Sequence, residues 1–179
     1  MPRRFSLPLL LLALASLALP HAAHAAKAFV FETDYSTGSF SAVNTTTRAP
    51  SCDVATVHSD ARLRWYAGRV YVVNRFGADN IQVIDPGTYA TVKQFSVGNG
   101  ANPYDIAFAS PTKAYVTRYE RTDLWVVDPT SGAHTGTISL AAFADADGIP
   151  EMDHLMMVGP LLFVSLQRVN RNAGFIPTD

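Results

Sequence analysis

Residues 69–86, RVYVVNRFGADNIQVIDP, and residues 113–129, KAYVTRYERTDLWVVDP, follow one plan. Each is an apolar run, a polar turn, a second apolar run and a closing Asp-Pro. Val, Ile, Tyr and Trp in short alternation, bounded by Gly, Asn, Asp and Pro, are what half-buried strands and their turns require. The Asp-Pro ending has a local cause. Proline cannot donate to a ladder and stops the strand, while the Asp carboxylate can accept bonds from backbone amides in the turn beyond.

The plan extends in both directions. Upstream, Phe29-Val30-Phe31-Glu32-Thr33 lies without gaps on the first run, and Phe40-Ser41-Ala42-Val43-Asn44 on the second, with Asn44 where the others have Asp85 and Asp128. Downstream, Leu162-Phe163-Val164-Ser165-Leu166 starts a fourth copy. The copies begin near residues 28, 69, 113 and 161, a spacing of about 43. The clearest copy predicts four strands, at 104–108, 114–118, 124–128 and 136–140, separated by turn chemistry. The first copy is the weakest, because residues 45–51 show no clear fourth strand. No stretch beyond the N-terminal segment keeps a 3.6-residue apolar period, so the fold class is all-β. A four-stranded sheet recurring every 40–45 residues is the unit of a β-propeller blade. Residues 27–179 supply about three and a half such blades. Rings close with about four to eight, so the expectation is an incomplete ring: part of a longer protein, or one that assembles with a partner supplying the remaining blades.

The stretch Pro103-Tyr104-Asp105-Ile106-Ala107-Phe108-Ala109-Ser110-Pro111, followed by Ala114-Tyr115-Val116-Thr117, resembles the repeat of the YVTN family of propellers. Arg118 stands where that repeat ends in Asn, and Asn74 keeps the Asn in the preceding copy. The resemblance implies a bacterial envelope or surface protein. Its motif is structural, so no activity follows from it.

The N-terminus carries Pro2-Arg3-Arg4, an apolar run from Leu7 to Leu19, and Ala23-His24-Ala25, the layout of a cleaved export signal over residues 1–26. The run is too short to span a bilayer as a helix, which takes about 20 apolar residues. Arg3-Arg4 fits either the general or the twin-arginine export route. The expected location is therefore periplasmic, secreted or cell-surface. Net charge is −1 with no basic stripe, which argues against nucleic acid as a partner. The single cysteine, Cys52, is buried, unpaired, or bridged to another molecule.

Aligning the innermost strands, which border the central channel, places Arg62, Asp105 and His154 at equivalent positions near one channel mouth, where they are the candidate ligand-binding residues. The densest polar stretch, residues 145–154, holds Asp145, Asp147, Glu151 and Asp153. The Asp-x-Asp-Gly start with a Glu beyond it is similar to oxygen-rich Ca²⁺ loops, although it misses the EF-hand spacing. These four are the candidate metal ligands. Two functions follow. One is a non-catalytic binding scaffold for a small molecule or envelope protein. The other is a metal-dependent propeller enzyme, a lactonase or a quinone-cofactor oxidoreductase, using Asp105, Asp147, Glu151 or His154. No Gly-x-Ser-x-Gly elbow or phosphate-binding glycine loop is present. The aromatics Trp65, Tyr71, Tyr115 and Trp125 are expected to pack blade against blade.

Overall fold

The computed structural model describes residues 26–178, so the expected export signal lies outside the described residues apart from Ala26. The chain runs through successive antiparallel sheets in sequence order. The first holds β1 (Lys27–Thr33), β2 (Gly38–Asn44) and β3 (Pro50–Val57). The second holds β4 (Ala61–Tyr66), β5 (Arg69–Asn74), β6 (Asn80–Ile84) and β7 (Thr91–Ser96). The third holds β8 (Pro103–Ser110), β9 (Lys113–Arg118), β10 (Asp123–Val127) and β11 (His134–Ser139). The fourth is the pair β12 (Met152–Val158) and β13 (Leu161–Leu166), followed by the short pair β14 (Val169–Asn170) and β15 (Ile176–Pro177). Among the described residues the only helical segments are two short 3₁₀ turns, at 141–143 and 171–173. This is an all-β, incomplete propeller, with β4, β8 and β12 as the innermost strands of neighbouring blades.

Three apolar layers sit between the sheets. Phe40, Val57, Val70, Val72 and Ile84 fill the first, Tyr71, Val73, Ile81, Ile106 and Val116 the second, and Ala107, Leu124, Met152 and Leu155 the third. The run Val70-Tyr71-Val72-Val73 is apolar at every position because even and odd residues enter different layers. A strand covered on both faces drops the alternation that a half-buried one shows.

Two sequence expectations are revised by the register. The outer strand that residues 45–51 concealed does exist, as the third strand of the first sheet at Pro50–Val57, where Ala55 pairs with Phe40. A bulge between Phe40 and Ala42, with Asp53 at φ +51°, breaks its alternation and hides it. The gapless alignment of the first copy is also one residue out. Phe29 opposes Ala42 as Tyr71 opposes Val83, and a slip of one residue exchanges the faces of a strand. Phe29 and Phe31 therefore face the second sheet.

The first three repeats are closed by the same kind of bond. Asp85 Oδ1 accepts the Gly87 and Thr88 amides, Asp128 Oδ1 accepts that of Thr130, and Asn44 Oδ1 accepts those of Thr46 and Thr47. The first residue after each second strand ties back to the connection entering its sheet: Arg75 N to Asp60 O at 2.8 Å, Tyr119 N to Asn102 O at 3.1 Å, and Gln167 N to Glu151 O at 3.1 Å. Arg118 replaces Asn74 without losing the tie. Asn74 accepts the His58 amide of the incoming connection, and Arg118 Nε donates to Val97 O in the equivalent one. Gly38 is needed where the first connection passes, since a Cβ there would sit 2.3 Å from His58 O.

Tyr71, Tyr115 and Trp125 pack at the layers as expected, while Trp65 is 58% exposed. Its equivalent, Phe108, stacks on Tyr66 at 4.2 Å and meets Tyr71 at 4.6 Å. Trp65 has only the counterpart of the second contact, Phe29 at 5.9 Å. Phe108→Ala should therefore cost about 3 kcal/mol and Trp65→Ala less than about 1 kcal/mol, measured by urea unfolding. Equal losses would contradict this account of the layers.

Candidate functional site

The inner strands bring two of the three candidate residues together and turn the third away. Arg62 on β4 donates from Nη1 to Nε2 of His154 on β12, at 2.6 Å. For that nitrogen to accept, the imidazole proton must sit on Nδ1, which lies 2.8 Å from Asp153 Oδ1. The Arg62 guanidinium also lies 3.8 Å from the Tyr104 ring, and that of Arg75 lies 4.0 Å from the same ring. His154 meets Tyr104 edge-on at 5.4 Å, and Tyr119 stacks on it at 5.8 Å. Arg75 is paired with Asp60 at 2.7 Å. Arg62 bonds to no carboxylate among the described residues. The rim thus presents a cation against an aromatic face, with His154 as its only hydrogen-bond partner among the described residues.

Asp105 lies inside the sheet stack. The β8–β9 register shifts between Pro103 and Ile106, and at that irregularity Asp105 becomes fully buried while Tyr104 takes the place beside Arg62. Its carboxylate accepts Arg64 Nε at 2.7 Å and Nη2 at 2.8 Å, the Ile106 amide at 2.8 Å and the Leu155 amide at 2.9 Å. One side chain joins the inner strands of three sheets.

The four acidic candidates in and beside loop 145–151 are each engaged by protein groups. Asp145 accepts the Asp147 amide and the Thr178 hydroxyl. Asp147 accepts the Ile149 and Arg171 amides. Asp153 Oδ2 accepts from Gln167, and its Oδ1 faces His154. Glu151 is fully buried, and its Oε2 accepts the Val169 amide. Its Oε1 has no hydrogen bond and faces Arg171 Nε at 3.5 Å. Arg171 is also ion-paired with Glu120. As a test of fit for Ca²⁺, this donor set is poor, because a guanidinium stands where the cation would and most oxygens already accept amide protons. Among the described residues, no three His, Cys, Asp or Glu side chains converge with the geometry of a metal site.

Burial pushes Glu151 up to about 7; the charges of Asp147 and Asp145 add to this, and the Val169 amide offsets part of it. The sites missed from sequence are Arg75, Tyr104, Tyr119 and Arg171. Arg75, Tyr119 and Gln167 are equivalent exits from the second strands, and Tyr119 Oη donates to Gln167 Oε1 at 2.9 Å. Aligning those exits would have found them. Tyr104 needed knowledge of the β8 irregularity. Cys52 is exposed on β3, so it is not a core residue.

No family model matches the sequence, and no curated protein matches it. The fold is similar to a solved glutaminyl cyclase of Myxococcus xanthus, with 11% identity and a TM-score of 0.49, over 77% of this chain and 62% of that one. It is also similar to the dihydro-heme d1 dehydrogenase NirN solved in complex with DHE, with 13% identity and a TM-score of 0.49, over 78% of this chain and 32% of that one. The chain thus spans less than two thirds of either, and likeness at this level says nothing of activity. Among the described residues, no helix is long and apolar enough to cross a membrane.

Two outcomes test the site. Asp105→Ala should cost about 3 kcal/mol or more in urea unfolding, because it strands Arg64 and the Leu155 amide, whereas Arg62→Ala should stay within about 0.5 kcal/mol of the parent. The second concerns Glu151, whose carboxyl titrates near the ordinary 4.5 when unfolded and about 7 when folded. The folded state holds the extra proton between those values, so its stability falls as pH rises through that window. Glu151→Gln should flatten the fall, read from urea midpoints at pH 5 and pH 8. A parallel slope in both proteins would refute the assignment.

Proposed function

We propose that the chain is an exported propeller of the YVTN-repeat type that binds a small anion at its inner rim and performs no catalysis. What supports this is one observation. Arg62 is held at the start of β4 by Tyr104 at 3.8 Å and His154 at 2.6 Å, with no carboxylate bonded to it. A guanidinium offers a planar pair of donors that matches a carboxylate or phosphate, and such charge-assisted bonds are the strong ones. Arg75 lies on the same ring with its charge paired to Asp60, so Arg62 is the cation left to meet an anion there. Tyr119 Oη and Gln167 extend the polar rim toward the fourth sheet.

The export signal read in residues 1–26 supports a location for this binding activity that is secreted, periplasmic or at the cell surface. The enzyme reading finds less support, since Asp105 is an inter-sheet anchor and Asp147 and Glu151 face Arg171.

Calorimetric titration of the full chain with citrate and with inorganic phosphate tests the proposal. Saturable binding of one of them, weakened about tenfold or more by Arg62→Ala, is expected from the loss of a hydrogen bond to a charged group. Binding that is absent for both anions, or unchanged by Arg62→Ala, would remove the rim as the site.

A further inference from the structure

We propose that a cleft between the β5–β6 turn, the β7–β8 connection and the β9–β10 turn binds one ring of a neutral saccharide. This goes beyond the anion rim and rests on different residues. The cleft has a volume of about 500 Å³ and is lined by Phe76, Asp79, Asn99, Gly100, Asn102 and Glu120 among others. Asp79 accepts the Gly100 and Asn102 amides at 2.6 and 2.7 Å, which ties the β5–β6 turn to the β7–β8 connection. Asp79 and Asn102 both take left-handed backbone, at φ +49° and +45°, a region that Asp and Asn enter at less cost than most residues.

The repeat shows what Asn102 lacks. Asp60, Asn102 and Glu151 hold the same place, each giving its carbonyl to the residue that follows the second strand of a sheet or, in the fourth pair, β13. Asp60 is answered by Arg75 Nη1 at 2.7 Å, and Glu151 Oε1 faces Arg171 Nε at 3.5 Å. Asn102 has no such cation. It is 8% exposed, its Nδ2 donates to Glu120 Oε1 at 3.3 Å, and its Oδ1 has no donor among the described residues. Buried acceptors are nearly always paired, so a donor from outside the fold belongs beside it.

Charge and shape select that donor. Asp79 and Glu120 are set against Arg171, which pairs with Glu120, and Arg121, which donates to the carbonyls of Asn99 and Glu120. Two carboxylates and two guanidiniums favour neither an anion nor a cation. A hydroxyl is neutral and donates to one group while accepting from another. Phe76 is 68% exposed and enters none of the three apolar layers. An open aromatic face beside amide and carboxylate groups matches a pyranose, which has an apolar C–H face and a hydroxyl edge.

The probes are the methyl glycosides of glucose, galactose and N-acetylglucosamine, titrated to tens of millimolar into the full chain and followed by NMR. At least one should bind saturably and shift the side-chain amide resonance of Asn102. Phe76→Ala should weaken that binding about tenfold, and Phe76→Tyr should restore it. Neither change touches an apolar layer, so both variants should fold. Arg62→Ala and added phosphate should leave the affinity unchanged, so the cleft and the anion rim are tested separately. Three outcomes overturn the proposal. One is no binding of any of the three glycosides, which leaves Asn102 Oδ1 to an ordered water. Another is binding that Phe76→Ala does not weaken. The third is binding lost in Arg62→Ala or displaced by phosphate, which assigns the sugar to the rim.

Discussion

The buried carboxylate of Asp105 is the contact on which the inner wall depends. It lies on β8, is held there by the Ile106 amide, reaches back to Arg64 on β4 and forward to the Leu155 amide on β12. A carboxylate taken out of water needs compensation on most of its lone pairs, and here four donors from three sheets supply it. Thr117 strengthens the same junction, since its hydroxyl reaches both the Asp105 backbone and the Asp153 carbonyl. Apolar layers between sheets are non-directional and would tolerate sliding. A buried charge with four donors does not, so it sets the rotation of each blade on the next.

That rotation creates the rim. Once β8 turns Asp105 inward, Tyr104 takes the outward place and becomes the surface on which Arg62 and Arg75 gather. His154 is then close enough to accept from Arg62. The acidic loop is arranged by a different rule. Arg171 arrives from the segment after β13, pairs with Glu120 and sits against Asp147 and Glu151. Local charge there is balanced within the fold, while Arg62 bonds to no carboxylate among the described residues.

The two halves of the molecule also differ in what they leave open. Between the second and third sheets both faces and both inner strands are present, and Phe108 is half-buried between Tyr66 and Tyr71. Between the first and second, one inner strand is absent among the described residues, and the same position becomes the exposed Trp65. The repeat is thus its own control: one sequence slot, two neighbourhoods, two degrees of burial.

Alternation, turn residues and a period of about 43 were enough to read the strands and the blades in order, because these depend on neighbours along the chain. The pairing of Arg62 with His154 was half legible, since equivalent positions on inner strands must lie near one another. What remained hidden depended on backbone irregularity and on partners distant in sequence. A bulge concealed β3, a one-residue slip reversed the faces of β1, and a register shift exchanged Tyr104 for Asp105. Arg171, 20 residues beyond Glu151 in the chain, came to face a carboxylate that spacing alone assigned to a metal. Period-2 patterning determines which residues are strands. Which face each residue takes, and which charge meets it, is decided only when the sheets pack.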